Sequence, residues 1–192
     1  MAKILVADDN PQICRAMERV LRGAGHKVVA AEKVGDATRL LALDRPGNQP
    51  FELIIVDLSF DNYDGPDAKA EAGMQIVQAA LVDPFAEIIV LTGFGTTRTA
   101  ADACAKGVFR YIEKGADPEV TLKDYILAVV ADAVIMRRKL QDLSTSLHVF
   151  SNILSEARRS GLDKEVANRG QEILRQAEEV YSTILRYRGK HA

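Results

Sequence analysis

The 192-residue sequence predicts an α/β fold, a five-stranded doubly wound parallel sheet, followed by an antiparallel α-helical hairpin. Over the first 135 residues, apolar runs of strand length alternate with helix-length segments, which is typical of βα units around a parallel sheet. Beyond about residue 125, apolar residues recur at alternating spacings of three and four, which is typical of coiled coils and helical bundles. We therefore expect a domain over residues 1–135 and a helical hairpin over residues 136–192.

The strands are the short apolar runs, and each is followed by a segment of helical length. We predict strands at KILVA (3–7), KVVAA (27–31), LIIV (53–56), IIVLT (88–92) and VFRYI (108–112). The first helix is expected to begin at Pro11 with Asn10 as its cap, and others follow at 35–43, 73–82 and 96–106. Residues 58–72 are too long and too polar for a simple connection, so we expect a mobile loop there.

Composition and charge narrow the classes of protein that fit this sequence. Hydrophobic residues make up 47% of the chain and its net charge is -2, so nothing marks it as nucleic-acid-binding or membrane-bound. No apolar run approaches the roughly 20 residues that span a bilayer, and the chain starts without a leader, so we expect a cytoplasmic protein. Cys14 and Cys104 are expected to be buried free thiols. The charge is uneven, -6 over residues 1–136 and +4 over residues 137–192, which indicates two functional parts.

The C-terminal part carries two heptad-like apolar seams separated by the turn sequence Ser160-Gly161-Leu162-Asp163. The first seam consists of Ile126, Val129, Ala133, Met136, Leu140, Leu143, Leu147, Phe150 and Leu154. The second consists of Val166, Gly170, Ile173, Ala177, Val180, Ile184 and Tyr187. Because a single hairpin cannot bury a two-sided seam, we expect two hairpins to pair through residues 126–187 in a homodimeric four-helix bundle.

Polar residues stand at the ends of the predicted strands, namely Asp8, Asp9, Asp57, Thr92 and Lys114. Since the carboxyl ends of parallel strands share one edge of the sheet, these side chains should converge. Three carboxylates without His or Cys favour Mg²⁺, or Mn²⁺, over zinc. One carboxylate can attack a phosphoryl group, while the metal, the ammonium and the hydroxyl neutralise its oxygens.

The motifs ILVADDN, LIIVDLS, IIVLTG and YIEK occur in this order, and with them the first 135 residues resemble a receiver domain of two-component response regulators. The resemblance implies a flavodoxin-like fold in which Asp57 accepts a phosphoryl group from a sensor histidine kinase or a phosphotransfer protein. It implies that Asp9 and Asp57 bind Mg²⁺ directly, with help from Asp8 and the backbone carbonyl of Ser59. It also implies a phosphorylated signalling protein with no catalysis beyond its own phosphotransfer and dephosphorylation.

The same resemblance assigns roles to three further residues and leaves two features open. Thr92 is expected to contact the phosphoryl oxygens, Lys114 to pair with the acyl phosphate, and Tyr111 to swing inward on activation. Gly115 stands where the family usually has a proline, and the loop after Asp57 carries about eight additional residues. That loop either gates the site or is a tolerated surface insertion. Phe94 either screens the acyl phosphate or is an exposed loop aromatic.

The hairpin is similar to the dimerisation and phosphotransfer hairpin of histidine kinases, in which an Asn follows the phosphorylated His by four residues. His148 and Asn152 have this spacing, although Val149 replaces the usual acidic residue. Three hypotheses follow. The hairpin is an output surface for another protein under phosphorylation control, it relays phosphate between Asp57 and His148, or its basic residues bind DNA. The surface role of a lone His and a solvated basic face favour the first hypothesis.

Overall fold

Five parallel strands form one sheet in the computed structural model, which describes residues 1–43, 50–63, 72–83, 85–93, 97–114 and 118–187, with the backbone alone for 97, 118–125, 186 and 187. The strands are β1 (Lys3–Ala7), β2 (Lys27–Ala31), β3 (Leu53–Val56), β4 (Glu87–Thr92) and β5 (Arg110–Glu113). Their order in the sheet is β2-β1-β3-β4-β5, and every neighbouring pair is parallel. The predicted doubly wound sheet is therefore confirmed, with β5 beginning two residues and ending one residue later than expected.

Helices connect the strands and continue beyond the sheet. They are α1 (Pro11–Gly23), α2 (Val34–Leu43), α3 (Met74–Ala80), α4 (Thr97–Ala105), α5 (Pro118–Arg159) and α6 (Lys164–Tyr187). The side chain of Asn10 caps α1, since its oxygen accepts a hydrogen bond from the amide of Gln12 at 2.9 Å. The element types and their order agree with the prediction from sequence.

The two faces of the sheet bury separate apolar clusters, because successive residues of each strand point to opposite sides. On one face Leu5, Ile54, Ile88 and their neighbours pack with the apolar sides of the helices α2, α3 and α4. On the other face Ile4, Ile55, Ile89 and their neighbours pack with α1 and with the first part of α5. The strands are almost wholly apolar for this reason, and their polar residues are left at the ends.

Helix α5 runs for 42 residues without interruption and carries the chain out of the α/β domain into the hairpin. Arg137 is only 3% exposed, and both of its terminal nitrogens lie 3.2 Å from Asp83 Oδ2. The next residue, Arg138, donates a hydrogen bond to the carbonyl oxygen of Met1 at 3.0 Å. These contacts fix the helix against the amino-terminal edge of the sheet. The boundary between residues 135 and 136 stays a prediction, and it lies inside this continuous helix.

A tight turn reverses the chain between α5 and α6. Gly161 has φ +94°, a left-handed conformation that glycine adopts without strain. The amides of Gly161 and Leu162 bond to the carbonyls of Arg158 and Ala157, which completes a Schellman motif. Asp163 Oδ1 then accepts from the amides of Glu165 and Val166 at 2.9 and 3.2 Å and caps α6. The predicted helical hairpin and its turn are therefore present.

The apolar seams of the hairpin are buried only in part, and on α6 the buried positions are not those of the predicted seam. On α6 the buried positions are Ala167 and Leu185, whereas Val166, Ile173 and Val180 are 54–61% exposed. The apolar positions of α6 form two stripes, and a single neighbouring helix covers only one of them.

Within the described ranges, no helix combines the length and the apolarity needed to cross a membrane.

The two cysteines differ in environment. Cys14 on α1 is buried, and burial, reinforced by the negative charge of Asp8, raises its pKa to about 12. Cys104 on α4 is exposed, so the expectation that both thiols are buried is wrong for this residue. The reason is local: Ala103 takes the inward position of α4, and the next residue lies about 100° further around the helix.

Candidate functional site

The predicted strand-end residues converge at the carboxyl edge of the sheet. Asp8 follows β1 and Asp57 follows β3, and these strands are neighbours at the point where the strand order reverses. Lys114 follows β5 and reaches across, with its Nζ 2.6 Å from Asp8 Oδ2 and 2.5 Å from Asp57 Oδ2. The sheet thus brings residues separated by up to 106 positions into one hydrogen-bonded cluster.

Backbone amides hold the three carboxylates in place. Asp8 Oδ1 accepts from the amide of Asn10 at 2.9 Å, and Asp57 Oδ1 accepts from the amide of Ser59 at 3.1 Å. The third carboxylate, Asp9, accepts through Oδ2 from the amide of Asp61 at 2.6 Å. Each aspartate is therefore oriented by its own strand-end loop or by a neighbouring one. The ligand role predicted for the Ser59 carbonyl stays a prediction.

The electrostatics of the cluster follow from burial. Asp8 is 3% exposed, and desolvation raises its pKa despite the attraction of Lys114. The folded state therefore favours the protonated form of Asp8. The stability from this effect is fully present below the ordinary pKa of 3.8, and it is lost as the pH rises through the higher pKa of the folded state. For Lys114, burial favours the neutral amine, but the attraction of Asp8 and Asp57 outweighs burial and raises its pKa. The Lys114 ammonium is thus the counter-ion of the Asp8 and Asp57 carboxylates.

The same carboxylates have the chemistry of a site for a hard divalent cation. One oxygen from each of Asp8, Asp9 and Asp57 lies within 4.8 Å of the others. They line an open cavity of about 500 Å³ together with Ser59, Lys114 and residues of the β1–α1 loop. Oxygen ligands without nitrogen or sulfur fit Mg²⁺ or Mn²⁺, which matches the expectation from sequence.

Thr92 lies on β4, and Tyr111 lies on β5 three residues before Lys114. Thr92 is fully buried as the last residue of β4, and its carbonyl accepts from the amide of Lys114 at 2.8 Å. The Tyr111 hydroxyl is 3.2 Å from Thr99 Oγ1 on α4, which joins the strand to the helix. The roles predicted for both residues stay predictions. Phe94 and Gly115 lie outside the described residues.

Gly73 packs against the backbone of Asp57 and was missed by reasoning from sequence. Its amide donates to the carbonyl of Leu58 at 2.9 Å. A Cβ on this residue would lie 1.9 Å from the carbonyl oxygen of Asp57 and 2.8 Å from Leu58 Cα, so only glycine fits. The signal available in the sequence was a glycine directly before the predicted third helix, where the chain can approach another backbone closely.

The first part of the loop after Asp57 is anchored, contrary to the expectation of mobility. The side chain of Phe60 is fully buried in the core, and the amide of Asp61 bonds to Asp9. The loop begins with this anchor because alternate residues after the strand continue to point inward. Residues 64–71 of this loop lie outside the described part of the chain.

His148 lies on α5 and is exposed, as is Asn152 four residues later. Neither residue lines the cavity at the strand ends. The two residues predicted to carry phosphate therefore lie on separate elements, Asp57 at the edge of the sheet and His148 on the hairpin.

The chain is similar to known proteins over its α/β domain. The model of the response regulator receiver domain matches residues 4–126. The chain belongs to this family. The Escherichia coli transcriptional regulatory protein GlrR is 31% identical over 133 residues, which are 69% of this chain and 26% of GlrR. The chain therefore spans about a quarter of the length of that relative.

Solved structures support the fold of the receiver domain. A response regulator receiver domain protein from Clostridium thermocellum matches with a TM-score of 0.56 and 22% identity, over 73% of this chain and 99% of that one. The response regulator TrrA from Thermotoga maritima, solved in complex with Mg²⁺ and BeF, matches with a TM-score of 0.50 and 22% identity, over 67% of this chain and 99% of that one. At these identities, both structures speak for the fold alone.

Replacing Gly73 with alanine should destabilise the protein, because the added Cβ meets the backbone of Asp57 and Leu58. We expect Gly73→Ala to lower the free energy of unfolding by about 3 kcal/mol, at the upper end of overpacking costs. Urea unfolding followed by circular dichroism measures this. The matched control is Gly35→Ala in α2, where nothing lies within 4 Å of the new Cβ. Equal stability of the two variants would contradict the role given to Gly73.

Replacing Lys114 with glutamine should destabilise the metal-free protein, because Asp8 and Asp57 lose their shared counter-ion. We expect a loss of roughly 3 kcal/mol in the free energy of unfolding at pH 7. Lys139→Gln, an exposed position on α5, serves as the control and should change stability little. Urea unfolding in the presence of a chelator measures the difference. A Lys114→Gln variant as stable as the control would show that the cluster does not depend on this ammonium.

Proposed function

We propose that this receiver domain is phosphorylated on Asp57 in a Mg²⁺-dependent phosphorelay and signals through its helical hairpin by protein–protein interaction. The observation that carries the proposal is the cluster in which Lys114 bonds to both Asp8 and Asp57 beside the third carboxylate. The three carboxylates offer oxygen ligands without nitrogen or sulfur, which supports Mg²⁺ as the metal. The phosphodonor is a sensor histidine kinase or a phosphotransfer protein.

The transfer is a displacement at phosphorus. A carboxylate oxygen of Asp57 attacks the phosphorus of a phosphohistidine, the new P–O bond forms, and the P–N bond to the donor breaks. Lys114 is already within hydrogen-bond distance of Asp57 and neutralises negative charge on the transferred group. Asp8, Asp9 and Asp57 would hold Mg²⁺, which would supply further charge neutralisation. No reaction on another substrate is part of the proposal.

The switch is proposed to act through β4, β5 and α4. Phosphorylation draws the Thr92 hydroxyl and the Lys114 ammonium toward the new phosphoryl oxygens. Tyr111 lies on β5, and its hydroxyl is 3.2 Å from Thr99 Oγ1 on α4. An inward movement of Tyr111 would break this contact and change the surface that α4 and β5 present.

The hairpin is proposed to pair with a second copy of this chain. Met136, Leu143 and Phe150 recur every seven residues on α5 and are 37–39% exposed, while Val166, Ile173 and Val180 recur every seven residues on α6. Together with the neighbouring Ile153 and Ile184, their exposed surface amounts to roughly 700 Å², close to the 800 Å² that each partner contributes to a standard interface. Two such hairpins form a closed four-helix bundle.

Two other functions remain as alternatives. The exposure of His148 on α5 fits a phosphotransfer residue, and loss of signalling on changing this residue alone would favour a relay between Asp57 and His148. Relatives such as GlrR are named transcriptional regulatory proteins, which fits regulation of transcription. Salt-dependent DNA binding by the basic hairpin would favour direct contact with nucleic acid.

Phosphorylation at Asp57 is tested by mass. Incubation with acetyl phosphate and Mg²⁺ should add the mass of one phosphoryl group, as an adduct that is lost in mild base. Asp57→Asn should abolish the adduct, while Asp102→Asn, an exposed carboxylate on α4, should leave it intact. Removal of Mg²⁺ by a chelator should reduce it strongly. An adduct that persists in Asp57→Asn would place the phosphoacceptor elsewhere.

Pairing of the hairpins is tested by light scattering with size-exclusion chromatography. The double substitution Ile173→Glu and Val180→Glu places charge in the proposed apolar interface and should convert the dimer into a monomer. The control is Gln171→Glu, which adds charge on another side of α6 at an exposed position. A wild-type chain that is monomeric at all concentrations would contradict the pairing and would leave the apolar stripe to another partner.

A further inference from the structure

The turn at residues 60–63 contacts the third carboxylate of the cluster through its backbone. The amide of Asp61 donates to Asp9 Oδ2 at 2.6 Å, which joins residues 52 positions apart. The amide of Tyr63 donates to the carbonyl of Phe60 at 3.2 Å, so Asp61 is the second residue of a four-residue β-turn. We propose that Asp61 is a positioning residue of the cation site, whose N–H holds the Asp9 carboxylate among the metal ligands and raises the affinity for a divalent cation. This inference rests on the proposed Mg²⁺ site and adds a requirement at position 61.

Asp9 differs from the other two carboxylates in what holds it. Asp8 and Asp57 are buried and share the Lys114 ammonium. Asp9 is only half-buried, so a rotation of its side chain toward solvent would relieve the repulsion of the other two carboxylates. A charge-assisted hydrogen bond from a fixed amide opposes that rotation. The Asp61 amide therefore keeps a third oxygen ligand in place before any cation binds.

The turn is anchored on three sides, which fixes the direction of this N–H. The side chain of Phe60 is fully buried in the apolar cluster on the α2 and α3 face of the sheet. Asn62 Nδ2 donates to the carbonyl of Glu32, directly after β2, at 2.9 Å. On α3, Gln75 Nε2 donates to the Tyr63 hydroxyl. Because the residues on both sides are held, the fold rather than a ligand sets the direction of the intervening N–H, and outer groups fixed in this way orient metal ligands.

The role belongs to the N–H at position 61 and not to the side chain, so two substitutions can separate them. Proline has no N–H, yet its fixed φ suits the second position of a β-turn. Asp61→Pro therefore removes the donor, while Asp61→Ala keeps it. Both variants lose the same carboxylate, so the difference between them isolates the hydrogen bond to Asp9.

The proposal is tested by isothermal calorimetry of Mn²⁺ binding to the full chain at constant ionic strength. We expect Asp61→Pro to bind Mn²⁺ about tenfold more weakly than Asp61→Ala, the lower end of the loss that follows removal of an outer partner of a metal ligand. Asn62→Ala keeps the N–H but releases the turn from Glu32, and it should weaken binding about threefold relative to the wild type. Gln171→Ala, an exposed amide side chain on α6, is the control and should bind as the wild type does.

Urea unfolding of each variant in the presence of a chelator shows whether the fold is intact, and Asn62→Ala decides the test where the proline variant does not fold. Equal affinity of folded Asp61→Pro and Asp61→Ala would overturn this inference and leave the proposed Mg²⁺ site standing. Wild-type affinity in Asn62→Ala would show that the anchored turn does not position Asp9. A wild-type chain that binds no Mn²⁺ would overturn the proposed metal site and this inference with it.

Discussion

The requirement that three carboxylates share one edge of the sheet governs the rest of the site. Asp8, Asp9 and Asp57 repel one another in a partly buried place, so the fold must supply a cation. Lys114 supplies it from the end of β5 by bonding to two of the three. The strand order places β1 and β3 side by side, the long side chain crosses the remaining distance, and backbone amides fix the carboxylate oxygens. A bound divalent cation would further offset the repulsion among the carboxylates.

The α/β domain and the hairpin are connected by the helix α5. Helix α5 packs against the sheet through its first half and then continues as one arm of the hairpin. The buried Arg137 and its partner Asp83 tie this helix to the turn that precedes β4. No flexible linker separates the two parts at this point, since the helix is continuous. The α/β domain and the hairpin therefore share one continuous helix.

The helices, the strands and the strand-end cluster could be predicted from the sequence because the patterns that indicate them are local. Apolar runs marked the strands, and polar residues at their ends marked the edge at which they meet. Reasoning from sequence did not find Gly73, whose need for a missing Cβ depends on how closely α3 approaches the backbone of Asp57. It placed Cys104 inside because an apolar helix position does not reveal which neighbour faces inward. The sequence pattern predicted one apolar seam on α6, whereas the structure has two apolar stripes. A spacing of three and four residues does not determine which side of the helix packs against α5.

The central claim is that the carboxylates at the strand ends form one metal site beside Lys114. Titration of Mn²⁺ into isotope-labelled protein, followed by nuclear magnetic resonance, tests it most directly. The account predicts that one equivalent of Mn²⁺ broadens the amide signals of residues 8–10, 57–59 and 114, while those of α6 stay sharp. Broadening centred on other residues, or none at one equivalent, would contradict the claim.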